Sequence, residues 1–363
     1  MKILLVHLYN PDGGLGGAAK GVFELASALK KTNRYEIRAA VNAGPLAEHL
    51  RQENIRVFEI PRSKFQIPGL IRQLRRILRD FTPDIIHSHH RFTTFLLDLL
   101  FKRGNRILHT ERVLKKNHRF FYRYGHRVTT VSESLRRHLI DYYRVPESLV
   151  RAIPNAAQLR FASARQVEDL KTHYPAAPGQ LTGLCIGRFE EQKGHAYLME
   201  AVAGLPPQDR LRLRIVLAGD GKLRAALEKK AQTLEVRGNF IFTGYTDAVP
   251  EWLEVCDFLI LPSLWEGMPR SVIEAFYAGK PVIATAIEGT RDIVRDGENG
   301  LLVPPRSAQH LGQALLQVLN QPEKLKSWGA SARQTGQKHS FAGMIQQYEQ
   351  FYTELRISVR VEK

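Results

Sequence analysis

Short apolar runs alternate along this chain with longer stretches whose apolar residues recur every three or four positions. Runs of the first kind, bounded by polar or glycine-containing turns, predict strands buried on both faces. Stretches of the second kind predict helices that cover them. In the first half the predicted strands are Lys2–Leu8, Glu36–Val41, Arg56–Ile60, Ile85–His87, Arg106–His109 and Val128–Val131. In the second half they are Thr182–Ile186, Arg212–Leu217, Asn239–Thr243, Phe258–Leu261, Val282–Ala284 and Leu301–Val303. Strand and helix in strict alternation imply an α/β fold of parallel, doubly wound sheets.

Tyr174-Pro-Ala-Ala-Pro-Gly-Gln180 is the predicted linker, because prolines and a glycine interrupt the pattern between a charged helix and a new strand. It divides the chain into domains over 1–177 and 178–338, with a helical tail over 339–363. At 363 residues, each domain can bury its own core. No apolar run reaches the roughly 18 residues of a membrane-spanning helix. Met1–Tyr9 enters a strand without a signal-peptide pattern, so a cytoplasmic location is expected. Cys185 and Cys256 both sit in apolar runs and read as buried, reduced thiols.

Charge changes this picture. Residues 1–177 hold 31 Lys+Arg against 15 Asp+Glu, while 178–363 hold 22 against 21, so nearly all of the formal +17 lies in the first half. Such asymmetry points to an anionic surface as partner of the first domain. Two stretches fit an anionic membrane: Leu70–Arg79, with Leu70, Leu74, Ile77 and Leu78 at helical spacing among arginines, and Lys115–Tyr124, which interleaves cations with aromatics. For the first, a surface helix packed on a sheet explains the pattern equally well. No nucleic-acid module or zinc-finger spacing is present, and no nucleic-acid partner is expected.

Candidate chemistry lies where strands end. Asn10-Pro-Asp-Gly-Gly-Leu-Gly-Gly17 precedes a helix, and Gly16 and Gly17 permit close approach of an anion to its start. The run does not match G-x-G-x-x-G, which argues against a nicotinamide dinucleotide. Gly187-Arg-Phe-Glu-Glu-Gln-Lys-Gly194 places two cations, Arg188 and Lys193, on one loop after a strand, where they could neutralise a diphosphate. His87, His89, His90 and His109 could be imagined around zinc, but no H-x3-H helix occurs and neither cysteine is near, so no metal is expected. Finally, Glu266 and Glu274 flank the start of a helix opened by Pro269.

Glu266-Gly-Met-Pro-Arg-Ser-Val-Ile-Glu274, followed by Ala275–Thr285, closely resembles the E-x7-E region of retaining GT-B glycosyltransferases of family 4. Gly187–Gly194 resembles the family's G-R-x5-K-G, shorter by one residue between Arg188 and Lys193. Leu217–Gly221, Phe242–Thr246 and Gly297–Pro304 continue the likeness, with Asp292 where Glu is usual and Pro269 where Gly is common.

The resemblance implies two Rossmann-like domains facing a cleft, with the final helix crossing back to the first. The co-substrate implied is a nucleotide-diphosphate sugar, UDP-linked by preference, with no cofactor or metal. Its diphosphate would be held by Arg188 and Lys193, its base near Gly244 and Tyr245, and its ribose by Glu274. Glu266, Gly267 and Met268 would hold the transferred sugar, and Gly16 and Gly17 would face the phosphates. His109, in a His109-Thr-Glu-Arg112 segment like a family loop, would stand near the reacting carbon, with Glu111 and Arg112 toward the acceptor. That acceptor would be a cell-envelope glycan or lipid-linked molecule, reached by a peripheral enzyme on the inner face of the cytoplasmic membrane. Two rival functions are a GT-B nucleotide-sugar epimerase and a non-catalytic polyanion- or nucleic-acid-binding protein. The first fits the E-x7-E region poorly, and the second leaves the carboxylates unexplained.

Overall fold

The computed structural model describes residues 1–9, 16–61, 66–103, 105–113, 122–157 and 162–358. The chain forms two compact units, Met1–Asn155 with Phe341–Lys363, and Ala156–Ser340.

The first unit runs β1 (Lys2–His7), α1 (Gly17–Lys31), β2 (Glu36–Val41), α2 (Pro45–Gln52), β3 (Arg56–Glu59) and α3 (Ile67–Phe81). It continues through β4 (Ile85–Ser88), α4 (Arg91–Phe101), β5 (Ile107–Glu111), β6 (Arg127–Thr130), α5 (Glu133–Asp141) and β7 (Val150–Ala152). All seven strands pair in parallel, in the order β3-β2-β1-β4-β5-β6-β7. Every residue of β4 and β5 is buried, which is why both read as unbroken rather than alternating patterns. On one face α3 and α4 share a core cluster with these strands, in which Leu70, Leu74, Ile77, Leu78 and Phe81 of α3 meet Leu96 and Leu97 of α4.

The second unit opens with α6 (Ala164–His173), then β8 (Leu181–Ile186), α7 (His195–Ala203), α8 (Pro207–Leu211), β9 (Leu213–Ala218), α9 (Arg224–Thr233) and β10 (Phe240–Gly244). Then come α10 (Val249–Val255), β11 (Phe258–Leu261), α11 (Arg270–Tyr277), β12 (Val282–Thr285), α12 (Glu288–Arg291), β13 (Gly300–Val303), α13 (Ala308–Asn320) and α14 (Lys324–Gln337). Its sheet is also parallel, ordered β10-β9-β8-β11-β12-β13. The last helix, α15 (Phe341–Ser358), belongs to the first unit. There Arg34 pairs with Glu349 at 2.5 Å and Arg151 with Glu354 at 2.8 Å.

The boundary corrects the expected linker. The chain passes between units after Asn155, not after 177, because residues up to Tyr174 pack on the second core. The Tyr174 ring lies 5.3 Å from that of Trp252, Arg214 donates to the Tyr174 carbonyl at 2.5 Å, and the Ser163 amide donates to Glu251 Oε1 at 3.0 Å. The proline-glycine run is therefore a surface turn leading into β8. Strand β7 had no counterpart in the sequence pattern, being three residues that follow a single turn of 3₁₀ helix. Both cysteines are buried, and burial pushes each thiol up to about 12, beyond reach as a thiolate at neutral pH. Among the described residues no helix is long and apolar enough to cross a membrane.

Candidate functional site

Each sheet reverses its winding direction once, and at such a point a crevice opens between the carboxyl ends of two neighbouring strands. In the second unit the reversal lies between β8 and β11. The loop after β8 carries Arg188 and Lys193, and the loop after β11 carries Ser263 through Gly267. Lys193 Nζ donates to Glu266 Oε1 at 2.6 Å, and Ser263 Oγ donates to the same oxygen at 2.9 Å. The Lys193 and Glu266 side chains keep 22% and 10% of their exposure, so the pair is shielded yet reachable. Arg188 is more open and lies 3.3 Å from Glu190.

Backbone groups build this crevice. Gly194 has φ 65°, and a Cβ there would lie 2.0 Å from the Pro262 carbonyl oxygen, so only glycine lets the Lys193 loop close on the end of β11. The Leu264 amide donates to Gln192 O at 2.7 Å, and Gln192 Nε2 donates to Trp265 O at 2.8 Å. On the other flank, the Phe189 amide donates to Asp220 O and the Gly219 amide to Gly244 O, both at 2.9 Å, tying together the ends of β8, β9 and β10. Tyr245 is exposed, its hydroxyl donating to Asp247 at 3.0 Å. Opposite, α12 comes so near that a Cβ on Gly289 would meet the Gly267 oxygen at 2.5 Å. Met268 is buried, Pro269 caps α11, and Glu274 stands half-buried on the second turn of that helix.

In the first unit the reversal lies between β1 and β4, and side chains fill it. His7 ends β1, His87 lies in β4, and His89 follows that strand. The His87 and His89 rings lie 3.9 Å apart, with His7 edge-on to His89 at 6.3 Å. His87 Nδ1 lies 2.7 Å from the Tyr352 hydroxyl of α15, and its Nε2 2.6 Å from Thr110 Oγ1. Burial lowers the His7 imidazole to about 3, with Arg112 and His90 adding to the effect. Burial first, and then neighbouring cationic groups, hold His87 and His89 well below the usual value.

His109 lies within β5 rather than at its tip, 1% exposed, with Nδ1 2.8 Å from Thr94 Oγ1 and Nε2 3.5 Å from Glu111 Oε2. Glu111, expected toward the acceptor, ends β5. It is 4% exposed and turned inward, accepting from Arg91 Nε at 2.5 Å and from the amides of Arg112 and Val113. Burial alone would raise its carboxyl, yet His109 and Arg91 hold it at about 2. Its oxygens thus meet Arg91 and two backbone amides, with His109 Nε2 3.5 Å away. Arg112 is the first residue beyond β5. Its guanidinium donates to Asn155 Oδ1 and to His89 Nδ1, each at 3.4 Å, beside Gly21 of α1.

Gly16 caps the start of α1 and Gly17 begins that helix. Asn10–Leu15 lie outside the described residues, as do Lys115–Phe121 of the cation–aromatic stretch. Its Tyr122 is half-buried, with its ring 4.3 Å from that of Tyr143 and 5.1 Å from the Arg91 guanidinium. Among the described residues no group of three or more His, Cys, Asp or Glu is placed to hold a metal ion.

Sequence reasoning missed Ser263, whose place directly after an apolar strand was a usable signal. It also missed Thr94, Arg91 and Tyr352, which no local pattern singles out.

Two family models match the chain. "Glycosyltransferase Family 4" covers residues 15–161 and "Glycosyl transferases group 1" covers 167–335. An uncharacterized glycosyltransferase of Methanocaldococcus jannaschii is 26% identical over 98% of this chain and 99% of its own. The UDP-Gal:alpha-D-GlcNAc-diphosphoundecaprenol alpha-1,3-galactosyltransferase of Escherichia coli is 25% identical over 76% of this chain and 78% of its own. Among solved structures, HepE of Anabaena in complex with UDP-glucose superposes with TM-score 0.84 at 19% identity, covering 98% of this chain and 100% of its own. Sequence and fold thus agree from end to end: the chain belongs to glycosyltransferase family 4, the glycosyl transferases group 1, and carries the GT-B fold of two Rossmann-like domains.

Proposed function

We propose that this glycosyltransferase is a retaining, metal-independent hexosyltransferase that moves a sugar from a UDP-sugar to a cell-envelope glycan or lipid-linked acceptor. The observation that carries the reading is the convergence of Lys193 and Ser263 on Glu266 Oε1 at the β8–β11 crevice. With Oε1 taking both bonds, Oε2 is left to accept from a hydroxyl of the transferred sugar. Lys193, released toward an arriving diphosphate, joins Arg188 and the amides at the start of α11 in stabilising the leaving charge. Glu274 accepts from the ribose hydroxyls, and the Gly244–Tyr245 turn takes the base.

In the reaction the bond from the sugar's anomeric carbon to the diphosphate oxygen breaks with its electron pair leaving on the diphosphate. The acceptor oxygen bonds to that carbon on the same face and passes its proton to the departing phosphate. Within the first unit, Arg112, directly after β5, takes the acceptor-facing role, and His109 lies behind it in the strand. UDP and UDP-glucose in the HepE complexes, and the UDP-galactose and lipid-diphosphate partners named for the Escherichia coli relative, support the donor and acceptor classes. The basic first unit is the part that meets an anionic membrane.

The test is a panel of nucleotide sugars screened by thermal shift and by turnover with the wild type and Glu274→Gln. A true donor stabilises the wild type by ligand linkage and the variant less. Equal stabilisation of both removes Glu274 from the site, and a product of inverted anomeric configuration ends the retaining assignment.

A further inference from the structure

Four arginines of α3, Arg72, Arg75, Arg76 and Arg79, fall at spacings of three, one and three residues, which places them on one helical face. All four are exposed, while Leu70, Leu74, Ile77, Leu78 and Phe81 on the opposite face are buried. One carboxylate interrupts the row, Asp80, at 3.6 Å from Arg76 and 3.0 Å from Arg79. The face thus keeps an excess of positive charge along its length. Nothing in the packing of α3 requires these arginines, because the helix is held from its other side.

Helix α4 lies in the same layer, joined to α3 through their common core cluster. Phe92, Phe95 and Leu99 share one stripe of α4; the phenylalanines pack partly buried against that cluster, and Leu99 carries the stripe into solvent at 53% exposure. Leu100 beside it is 44% exposed. Lys102 and Arg103 follow at once, and Lys102 and Arg123 both approach the Asp98 carboxylate, at 3.0 and 3.4 Å. Since α3 leads into β4 and α4 into β5, two parallel neighbours, the helices run in the same direction and end at the same edge of the sheet. An arginine row and a protruding leucine pair therefore share one outer layer.

We infer that the α3–α4 layer of the first unit is a docking face for an anionic lipid bilayer, with Arg72, Arg75, Arg76 and Arg79 on the lipid phosphates and Leu99–Leu100 in the headgroup–acyl boundary. Charge complementarity selects this occupant. The first unit holds 31 Lys+Arg against 16 Asp+Glu, while the second holds 22 against 20, so the attraction is confined to one unit. Exposed leucines beside the arginines favour a bilayer over a nucleic acid, whose phosphates offer no apolar phase. Docking through the flank of the sheet leaves its carboxyl edge, with the His109–Arg112 segment, uncovered and alongside the membrane. The inference deepens the proposed lipid-linked acceptor and rests on that reading for its purpose, though not for its geometry.

Sedimentation of the full chain with vesicles of phosphatidylcholine containing phosphatidylglycerol, and with phosphatidylcholine alone, tests it. Binding is expected only to the anionic vesicles and is expected to fall steeply in about 0.5 M salt. Arg72→Glu/Arg75→Glu/Arg76→Glu/Arg79→Glu lowers the partition constant more than about a hundredfold. Leu99→Ser/Leu100→Ser lowers it about tenfold while preserving the salt dependence. Unchanged thermal unfolding of both variants shows that the fold survives. A wild type that ignores anionic vesicles overturns the inference, as do a quadruple variant that binds like the wild type and tighter retention on single-stranded RNA than on vesicles. Nucleotide-sugar turnover in solution separates the two readings. Turnover without vesicle binding sinks the docking face alone, whereas vesicle binding without turnover of any nucleotide sugar sinks the transferase reading and leaves the face standing.

Discussion

The two units place opposite kinds of construction at the same topological point. In the second, backbone segments pressed together by glycine hold one Lys193–Glu266 pair at the crevice. In the first, interlocked side chains fill the crevice, with neutral histidines from β1 and β4, a buried carboxylate in β5 and a tyrosine reaching in from α15. A backbone-built crevice leaves its few charged side chains available to a ligand. A side-chain-built one buries its polar groups against each other, and its variants should report first on folding. Substitutions in the two crevices should therefore fail differently, one in catalysis with the fold intact, the other in stability.

The largest effect expected is catalytic. Lys193→Ala should lower kcat on the true donor by a hundredfold or more, about 3 kcal/mol of transition-state stabilisation, with thermal unfolding nearly unchanged. Arg188→Ala should follow it at smaller amplitude, because Arg188 is more exposed and its charge better screened. Steady-state kinetics beside a melting curve decide this, and a kcat within about threefold of wild type for Lys193→Ala would remove the lysine from the leaving-group role.

Next comes Glu111→Ala, expected to destabilise the first unit by about 3 kcal/mol, since it strands Arg91 between the Tyr122 and Tyr143 rings without its buried counter-charge. Chemical denaturation measures it. A variant as stable as wild type but deficient only toward acceptor would return Glu111 to the acceptor-contact role assigned from sequence.

Acid should separate the units as well. A histidine whose folded pKa is depressed contributes stability that is complete above its unfolded value of 6.5 and is lost as pH falls toward the folded value. For His7 in the first unit and His195 in the second, that window runs from 6.5 down to about 3. The first unit has His87 and His89 shifted in the same direction, so it should lose stability faster as pH drops from 6.5, by up to about 1.4 kcal/mol per unit of pH for each histidine. Glu111, depressed to about 2, adds its own loss only below its ordinary value of 4.5. Denaturation at pH 7 and pH 5, followed by hydrogen exchange assigned to each unit, tests the order. Equal loss in both units would break the contrast.

The same contrast explains what could be read in the chain. Strands β1, β2, β8, β11 and β12 were legible because parallel, doubly covered strands are continuous apolar runs. The segments that meet at the second crevice were legible too, since Gly187–Gly194 and Glu266–Glu274 each carry their charged residues in one short local run, and the fold joins them through Lys193 and Glu266. The first crevice was legible only as a list of histidines. Its meaning depends on Tyr352, 265 positions from His87, and on Thr94, an ordinary helical residue. The burial of Glu111 was hidden for the same reason: the resemblance of His109–Arg112 names the residue but not its partner Arg91, twenty positions away. The expected linker failed because proline and glycine mark a turn without saying which core the preceding helix packs on.

The smallest effect probes the longest link in the first unit. Tyr352 is fully buried, and its hydroxyl sits 2.7 Å from His87 Nδ1, so Tyr352→Phe removes one hydrogen bond and keeps the ring against His87 and Tyr348. The cost should be about 1 to 2 kcal/mol, mostly from leaving His87 Nδ1 buried without its partner. His87→Phe in the same background should then cost much less than it does alone, because the polar atom that needed Tyr352 is gone as well. A double-mutant cycle by urea denaturation measures this coupling. Additive losses would mean that α15 is held only by its apolar face and by the ion pairs of Glu349 and Glu354, and that the histidine cluster stands without it.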